Sequence, residues 1–200
     1  MKMLFIDCET TGTDPARHGL VQMAGAAFVD KTLVESFNLQ IAPFPSDEIS
    51  DESLVINGLT REVIARGMPP QEGYTQFVRM LARYVDRYDR TDKFHFIGYN
   101  ADFDSDFVRM WFEKNDDIYF GSWFWWPVLD VAKLAGIRLM SARPNLHDFK
   151  LMTVAQHLDI DLSDITPHEA LNDIKVTMRI FKRLTQDIPL LLRFKGQETA

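Results

Sequence analysis

With 200 residues, 46% of them hydrophobic, the chain has material for one full hydrophobic core. Its 29 acidic residues outnumber 22 basic ones, and the formal charge of -7 argues against a protein that simply coats nucleic acid. One cysteine excludes a disulfide framework and a cysteine-built zinc or iron–sulfur site, and no stretch reaches the apolar length of a membrane span.

The N-terminus enters a strand pattern at once, with no basic-then-apolar leader, so the expected location is the cytoplasm and no membrane partner is expected. Lys2 to Gly12 reads as a buried strand that ends in Asp7-Cys8-Glu9 and then turns. Residues i and i+2 of a strand share a face, so Asp7 and Glu9 point together and Cys8 points away. Two carboxylates this close repel each other and resist desolvation unless a cation lies between them. By itself the stretch suits a solvated acidic strand end equally well.

A polar turn covers 13–19. Leu20 to Val29 reads as a second strand, Asp30-Lys31 as a tight turn, and Leu33 to Ile41 as a third strand antiparallel to the second. Pro43 and Pro45 stop that pattern, and short helical turns are expected around Glu52 to Asn57 and Arg61 to Ala65. From Pro70, the apolar positions Tyr74, Phe77, Val78, Leu81, Tyr84, Val85 and Tyr88 recur at helical spacing. Phe94 to Tyr99 then reads as a fourth strand, parallel to the first because a helix crossed over before it.

Asn100-Ala101-Asp102-Phe103-Asp104-Ser105-Asp106 opens a helix with Phe103, Phe107, Val108 and Trp111 on its inner side. A second acid cluster therefore stands at the C-terminal end of a second parallel strand, where ligand sites of open α/β sheets collect. Asp102-x-Asp104-x-Asp106 with Glu113 imitates a calcium loop, but Phe107 occupies the position that requires glycine. Residues 117–128 hold Tyr119, Phe120, Trp123, Phe124, Trp125 and Trp126, which suit a satellite core, a partner surface or a base-stacking platform. Val128 to Val131 suggests a short edge strand, Ala132 to Ala135 a helix, and Asn145 to Leu158 another with Phe149, Met152, Val154, Ala155 and Leu158 as its apolar set.

Thr166-Pro167-His168-Glu169 is a capping box with proline at the first helical position, so the last helix is expected to begin there. Its predicted stripe is Leu171, Ile174, Met178, Phe181 and Leu184, with a helical tail to about 195. His168 and Asp173 stand about 140° apart on that helix and would flank one site from two sides. An aspartate bordering an apolar stripe is costly unless paired or metal-bound. His168 taken alone suits an exposed first-turn histidine. No repeat, low-complexity linker or boundary appears, so residues 1–200 read as a single domain.

Three of these stretches resemble the motifs of the DEDD superfamily of 3′–5′ exonucleases. Asp7-x-Glu9 with Thr10-Thr11-Gly12 resembles the first, Asn100-Ala101-Asp102-Phe103-Asp104 the second, and His168-Glu169-Ala170-Leu171-Asn172-Asp173 the third. The His-x4-Asp form marks the DEDDh (DnaQ-like) branch. The Tyr-x3-Asp form is excluded, because Glu169 stands four residues before Asp173. The resemblance runs from Met3 to about Leu184 and includes the Asn57-Gly58-Leu59-Thr60 turn and the Leu129-Asp130 segment.

The resemblance implies an α/β ribonuclease H-like fold: a central mixed five-stranded sheet, its first three strands an antiparallel meander, flanked by helices. It implies two Mg²⁺ or Mn²⁺ ions held by Asp7, Glu9, Asp104 and Asp173, with Asp7 shared between them and His168 as general base. Asp104 is preferred among the three aspartates because the family ligand directly follows the phenylalanine; Asp102 is then left to cap the helix and Asp106 to face solvent. The chain departs from the family pattern at Tyr99, where histidine is common, and at Gln22, where many relatives carry glutamate. By analogy Thr10, Thr11 and Gly12 would grip the 3′-terminal nucleotide, with Tyr99 or Asn100 lining the pocket. Lys175, Arg179, Lys182, Arg183, Arg193 and Lys195 form a candidate phosphate track, and each also suits an ordinary solvated helix face.

The function so implied is release of nucleoside 5′-monophosphates from single-stranded or frayed DNA. The same five residues would serve an exoribonuclease, because the 2′-hydroxyl is discriminated by the pocket and not by the metals. A reading of another class is a non-catalytic subunit that binds a polymerase or replisome partner through Trp123, Trp125 and Trp126. Homodimers occur in the family, and no feature of the sequence addresses that state.

Overall fold

A computed structural model describes residues 1–165 and 170–188 of the chain. Strand β1 (Lys2–Thr10) lies at the centre of a five-stranded sheet of order β3-β2-β1-β4-β5. Strands β2 (Leu20–Val29) and β3 (Thr32–Gln40) complete the antiparallel meander. Strands β4 (His95–Gly98) and β5 (Leu129–Asp130) run parallel to β1. The mixed sheet flanked by helices is the expected architecture.

The β2–β3 turn is tight because Asp30 and Lys31 both adopt positive φ, 46° and 72°, the pair of left-handed residues that a two-residue hairpin demands. Helices α1 (Asp51–Ile56) and α2 (Arg61–Ala65) are capped by the Ser50 and Thr60 side chains, and they seat Leu54 and Ile64 on Val21. Helices α3 (Pro70–Ala82) and α4 (Ala101–Lys114) cover one face of the sheet, and their Phe77, Leu81, Trp111 and Phe112 pack on Leu4, Ile6 and Met23. Helices α5 (Val131–Arg138), α6 (Leu151–His157) and α7 (Ala170–Thr185) cover the other, around Phe5, Ala24, Ala26 and Ile97. The small residues of β2 let α7 come close, and Phe5 meets Phe181 edge-on at 5.6 Å.

Several sequence expectations need correction. Helix α3 ends at Ala82 and not at Tyr88: hydrogen bonds at Arg83 and Tyr84 shift to the tighter i−3 pattern, and the Lys2 amine takes the Tyr84 carbonyl. Tyr88 lies 88% exposed beyond the helix. The helix expected from Asn145 is shorter, because Asp148 accepts the Lys150 N–H and Tyr99 takes the Phe149 carbonyl, which holds 148–150 out of helical form. Helix α5 runs three residues past its expected end. On α7 the buried arc is wider than predicted and includes Val176 and Ile180, because the helix is packed by the sheet and by α5 and α6 together. The aromatic cluster divides: Phe120, Trp123 and Phe124 are core, whereas Tyr119 and Trp126 are exposed. The capping box at 166–169, His168 included, and the tail with Arg193 and Lys195 lie outside the described residues. Among the described residues no helix is long and apolar enough to cross a membrane.

Candidate active site

The site grows from the end of β1. Phe5 faces α7 while Leu4, Ile6 and Cys8 face α3 and α4, so the two-residue alternation turns Asp7 and Glu9 toward α7. Antiparallel pairing places Asp7 opposite Ala24 and Glu9 opposite Gln22, and a bulge after Glu9 ends the regular ladder. Gln22 directs its amide to Asn38 Oδ1 at 2.9 Å.

On the other side of β1 the neighbouring strand stops short. β4 ends at Gly98, where a Cβ would stand 3.2 Å from the Ile6 carbonyl oxygen, a tighter approach than side chains usually make, so glycine suits the close crossing. Asn100 then adopts the left-handed conformation, φ 66°, and the chain turns directly into α4. The Cys8 N–H, left without a strand partner on that edge, is taken by Asp104 Oδ1 at 2.9 Å. This hydrogen bond fixes the Asp104 carboxylate, 3% exposed, beside the acids of β1.

The other two aspartates of that segment go elsewhere. Asp106 is exposed, as expected. Asp102 does not cap α4, which has no side-chain cap; it pairs with Lys133 of α5. The Asp130 carboxylate accepts N–H groups from Asn100 at 3.2 Å, Ala132 at 2.8 Å and Lys133 at 3.3 Å. Asp130 thus joins the start of α4 to the start of α5, a role that the Leu129-Asp130 match did not reveal.

Asp173 enters from the first turns of α7, and its charge reaches both acids of β1. Burial and then the Asp173 charge push Asp7 up to about 7. Burial, then Asp7, then Asp173 push Glu9 up to about 8. Asp104 is raised well above the carboxylate range by burial and by Asp7, against the pull of the Cys8 hydrogen bond. The Cys8 thiol is pushed up by burial and by Asp104, Asp7 and Glu9, which keeps it protonated and unreactive. Four carboxylates from three elements therefore share one electrostatic field. Oxygen donors only, buried and mutually repelling, fit a hard divalent cation such as Mg²⁺ or Mn²⁺. Among the described residues, no three acid, histidine or cysteine side chains are already closed into a ligand cluster.

The residues expected to touch substrate are placed as follows. Thr10 and Thr11 are buried; Thr10 Oγ1 donates to the Gly12 carbonyl at 2.7 Å and Thr11 Oγ1 accepts the Gly19 N–H at 2.8 Å. Gly12 lies against the His18 ring, which a Cβ there would enter. Asn57 donates to the Thr10 carbonyl at 2.9 Å, so the Asn57-Gly58 turn braces the loop after β1. Tyr99 is half-buried with its hydroxyl donating to Phe149 O at 2.7 Å, and Asn100 is exposed. Lys175, Lys182 and Arg183 are exposed on α7. The Arg179 guanidinium is held by Asp164 through two contacts of 2.8 Å.

Residues 4–181 match the family described as RNase_T, exonuclease. The chain is 27% identical over 181 residues to the PolC-type DNA polymerase III of Thermotoga petrophila, and to that of Thermotoga maritima. The match covers 90% of this chain and 12% of either relative, so the chain spans a small part of their length. In structure it is similar to E. coli exonuclease I in complex with a dT13 oligonucleotide, with a TM-score of 0.71 and 21% identity over 95% of this chain and 42% of that one. A product-bound exonuclease I structure gives a TM-score of 0.72 at 21% identity, over 95% of this chain and 44% of that one. At such identities the structural likeness is one of fold.

Proposed function

Because this chain belongs to the RNase_T exonuclease family, in the DEDDh (DnaQ-like) group of 3′–5′ exonucleases, we propose that it removes nucleotides one at a time from 3′ ends and releases nucleoside 5′-monophosphates. The observation that carries this reading is the convergence of Asp7, Glu9, Asp104 and Asp173 in one field that raises the pKa of the first three. These four residues would hold two Mg²⁺ or Mn²⁺ ions, which when bound acidify a water and neutralise charge on the phosphoryl and leaving oxygens.

The protein's own part is to hold and desolvate those carboxylates and to move one proton. Asp104 is fixed before substrate arrives, because its oxygen rests on a backbone N–H and not on a mobile side chain. His168, five residues before Asp173, takes the proton of the attacking water. Thr10, Thr11 and Gly12, at the end of β1 and in the braced loop after it, receive the terminal nucleotide, with Tyr99 or Asn100 lining the pocket. Single-stranded DNA is the favoured substrate, since structures of similar fold were solved with DNA oligonucleotides. Its favoured setting is alongside a replicative polymerase, since the similar chains are parts of PolC-type DNA polymerase III.

The test uses purified protein and 5′-labelled single strands of DNA and RNA of matched sequence, with Mg²⁺, with Mn²⁺ and with EDTA. A one-nucleotide descending ladder on DNA, absent in EDTA, is the expected result. A ladder on RNA alone would keep the chemistry and reassign the substrate. No ladder on either strand would overturn the proposal.

A further inference from the structure

At the end of the sheet opposite the carboxylates, a cavity of about 590 Å³ is lined by Arg87, Tyr88, Arg90, Lys93, Tyr119 and Ser122. Three of its six walls are cationic, in a chain whose formal charge is -7. The Arg87 guanidinium lies 5.8 Å from the Tyr88 ring, 5.4 Å from Tyr119 and 5.2 Å from Trp123. Lys93 stands 5.5 Å over Trp125 and donates to the Gly121 carbonyl at 2.6 Å. The outer faces of this stack remain open: Tyr88 is 88% and Tyr119 57% exposed. Backbone bonds from Phe94 to Trp123 O and from Trp125 to Phe94 O, both 2.9 Å, tie the two halves of the wall together, so the array is pre-formed.

The acids nearby already accept hydrogen bonds; Asp86 and Asp89 keep their charge, whereas Asp92 and Asp117 are ion-paired. Asp86 accepts the Tyr88 N–H, Asp89 the Thr91 N–H and hydroxyl, and Asp92 the Lys2 amine. Asp117 accepts the Tyr74 hydroxyl and the Tyr119 N–H, and its carboxylate pairs with the Arg87 guanidinium at 3.9 Å. Among the described residues Arg90 has no hydrogen-bond or ion-pair partner. Cations set between exposed aromatic faces offer a phosphodiester strand its two needs at once, charge for the backbone and flat surfaces for the bases.

We propose that this pocket is a second anchoring site for the 5′-ward part of a single-stranded nucleic acid whose 3′ end lies at the carboxylates. The inference rests on the exonuclease reading and adds to it a length dependence. Lys93 lies two residues before β4, and Asp104 follows its far end. Four strand residues at about 3.3 Å each separate the two sites by at least about 13 Å. Only a strand several nucleotides long reaches both. The anchor would lower KM for long strands and leave the chemical step unchanged.

The experiment compares the wild type with the double variant Arg90→Glu, Tyr119→Ala, both at exposed positions remote from the carboxylates. Its readouts are kcat and KM on a four-nucleotide and a twenty-nucleotide strand, and binding of the labelled twenty-nucleotide strand in EDTA by fluorescence anisotropy. We expect KM and Kd for the long strand to rise about tenfold with a shallower salt dependence, kcat to stay constant, and the short strand to be indifferent. Unchanged long-strand KM and Kd in the variant would overturn the proposal and leave the exonuclease reading standing. Should the wild type cleave nothing, the anisotropy arm still decides: binding lost in the variant supports the anchor, and binding retained overturns it. A wild type that binds no strand but captures an acidic peptide at this pocket would reassign the site to a protein partner.

Discussion

Asp104 combines three demands on one side chain: it is 3% exposed, it accepts the Cys8 N–H, and its charge opposes that of Asp7. Asn at this position can still accept the hydrogen bond but carries no charge. Asp104→Asn should therefore raise Tm in EDTA by about 2–4 °C, roughly 1 kcal/mol, while cutting kcat by about a thousandfold or more. Asp106→Ala, at an exposed position about 200° around the helix, should keep kcat within about twofold. Melting curves and single-turnover rates on the three proteins check this, and equal losses at both positions would remove Asp104 from its assigned place. At this scale much was legible: a two-residue period turns Asp7 and Glu9 the same way in any strand. The fate of Asp102 was not, because its partner Lys133 lies 31 residues further along the chain.

The junctions between elements decide how accurately the acids are placed. Asp130 gathers three N–H groups from the starts of α4 and α5, with its side chain only 4% exposed. Asp130→Ala should cost about 1 kcal/mol, since it removes the cap of α5 and the tie to the Asn100 N–H. It should also lower kcat more than it raises KM, because Asp104 sits on the helix that is set loose. Asp130→Asn, which keeps an acceptor, should recover much of both losses. A uniform loss of stability without any change in kcat at permissive temperature would show that the junction is merely structural. Element existence and order followed from apolar periodicity and turn residues. Element ends did not, as at Ala82 and in the 145–150 segment, where contacts from Lys2 and Tyr99 override the local pattern.

For the whole molecule, the acids of the site set the pH response. A carboxyl group raised above its unfolded pKa lends stability below that pKa, near 4, and the benefit is lost as pH rises through the folded value. For Asp7, at about 7, and Glu9, at about 8, the loss extends to about pH 8. His95 acts oppositely at lower pH, since burial lowers its pKa. Between pH 7 and 8.5 in EDTA, Tm should fall by several degrees. Mg²⁺ or Mn²⁺ should restore it, with a larger gain at pH 8.5 than at pH 7, because metal binding needs the deprotonated acids. A metal-induced gain in Tm that is flat with pH would contradict the carboxylate site.

The sequence by itself determined the strand and helix order, the shared facing of Asp7 and Glu9, and the family, because each rests on short-range periodicity or on motif spacing. Only the tertiary structure decided that Asp104 rests on the Cys8 N–H, that Asp130 joins two helix starts, and that the aromatic cluster divides between core and surface. Those facts depend on contacts between residues far apart in the chain. Hydrogen bonding and burial choose among such contacts once the sheet has closed, and no local pattern encodes the choice.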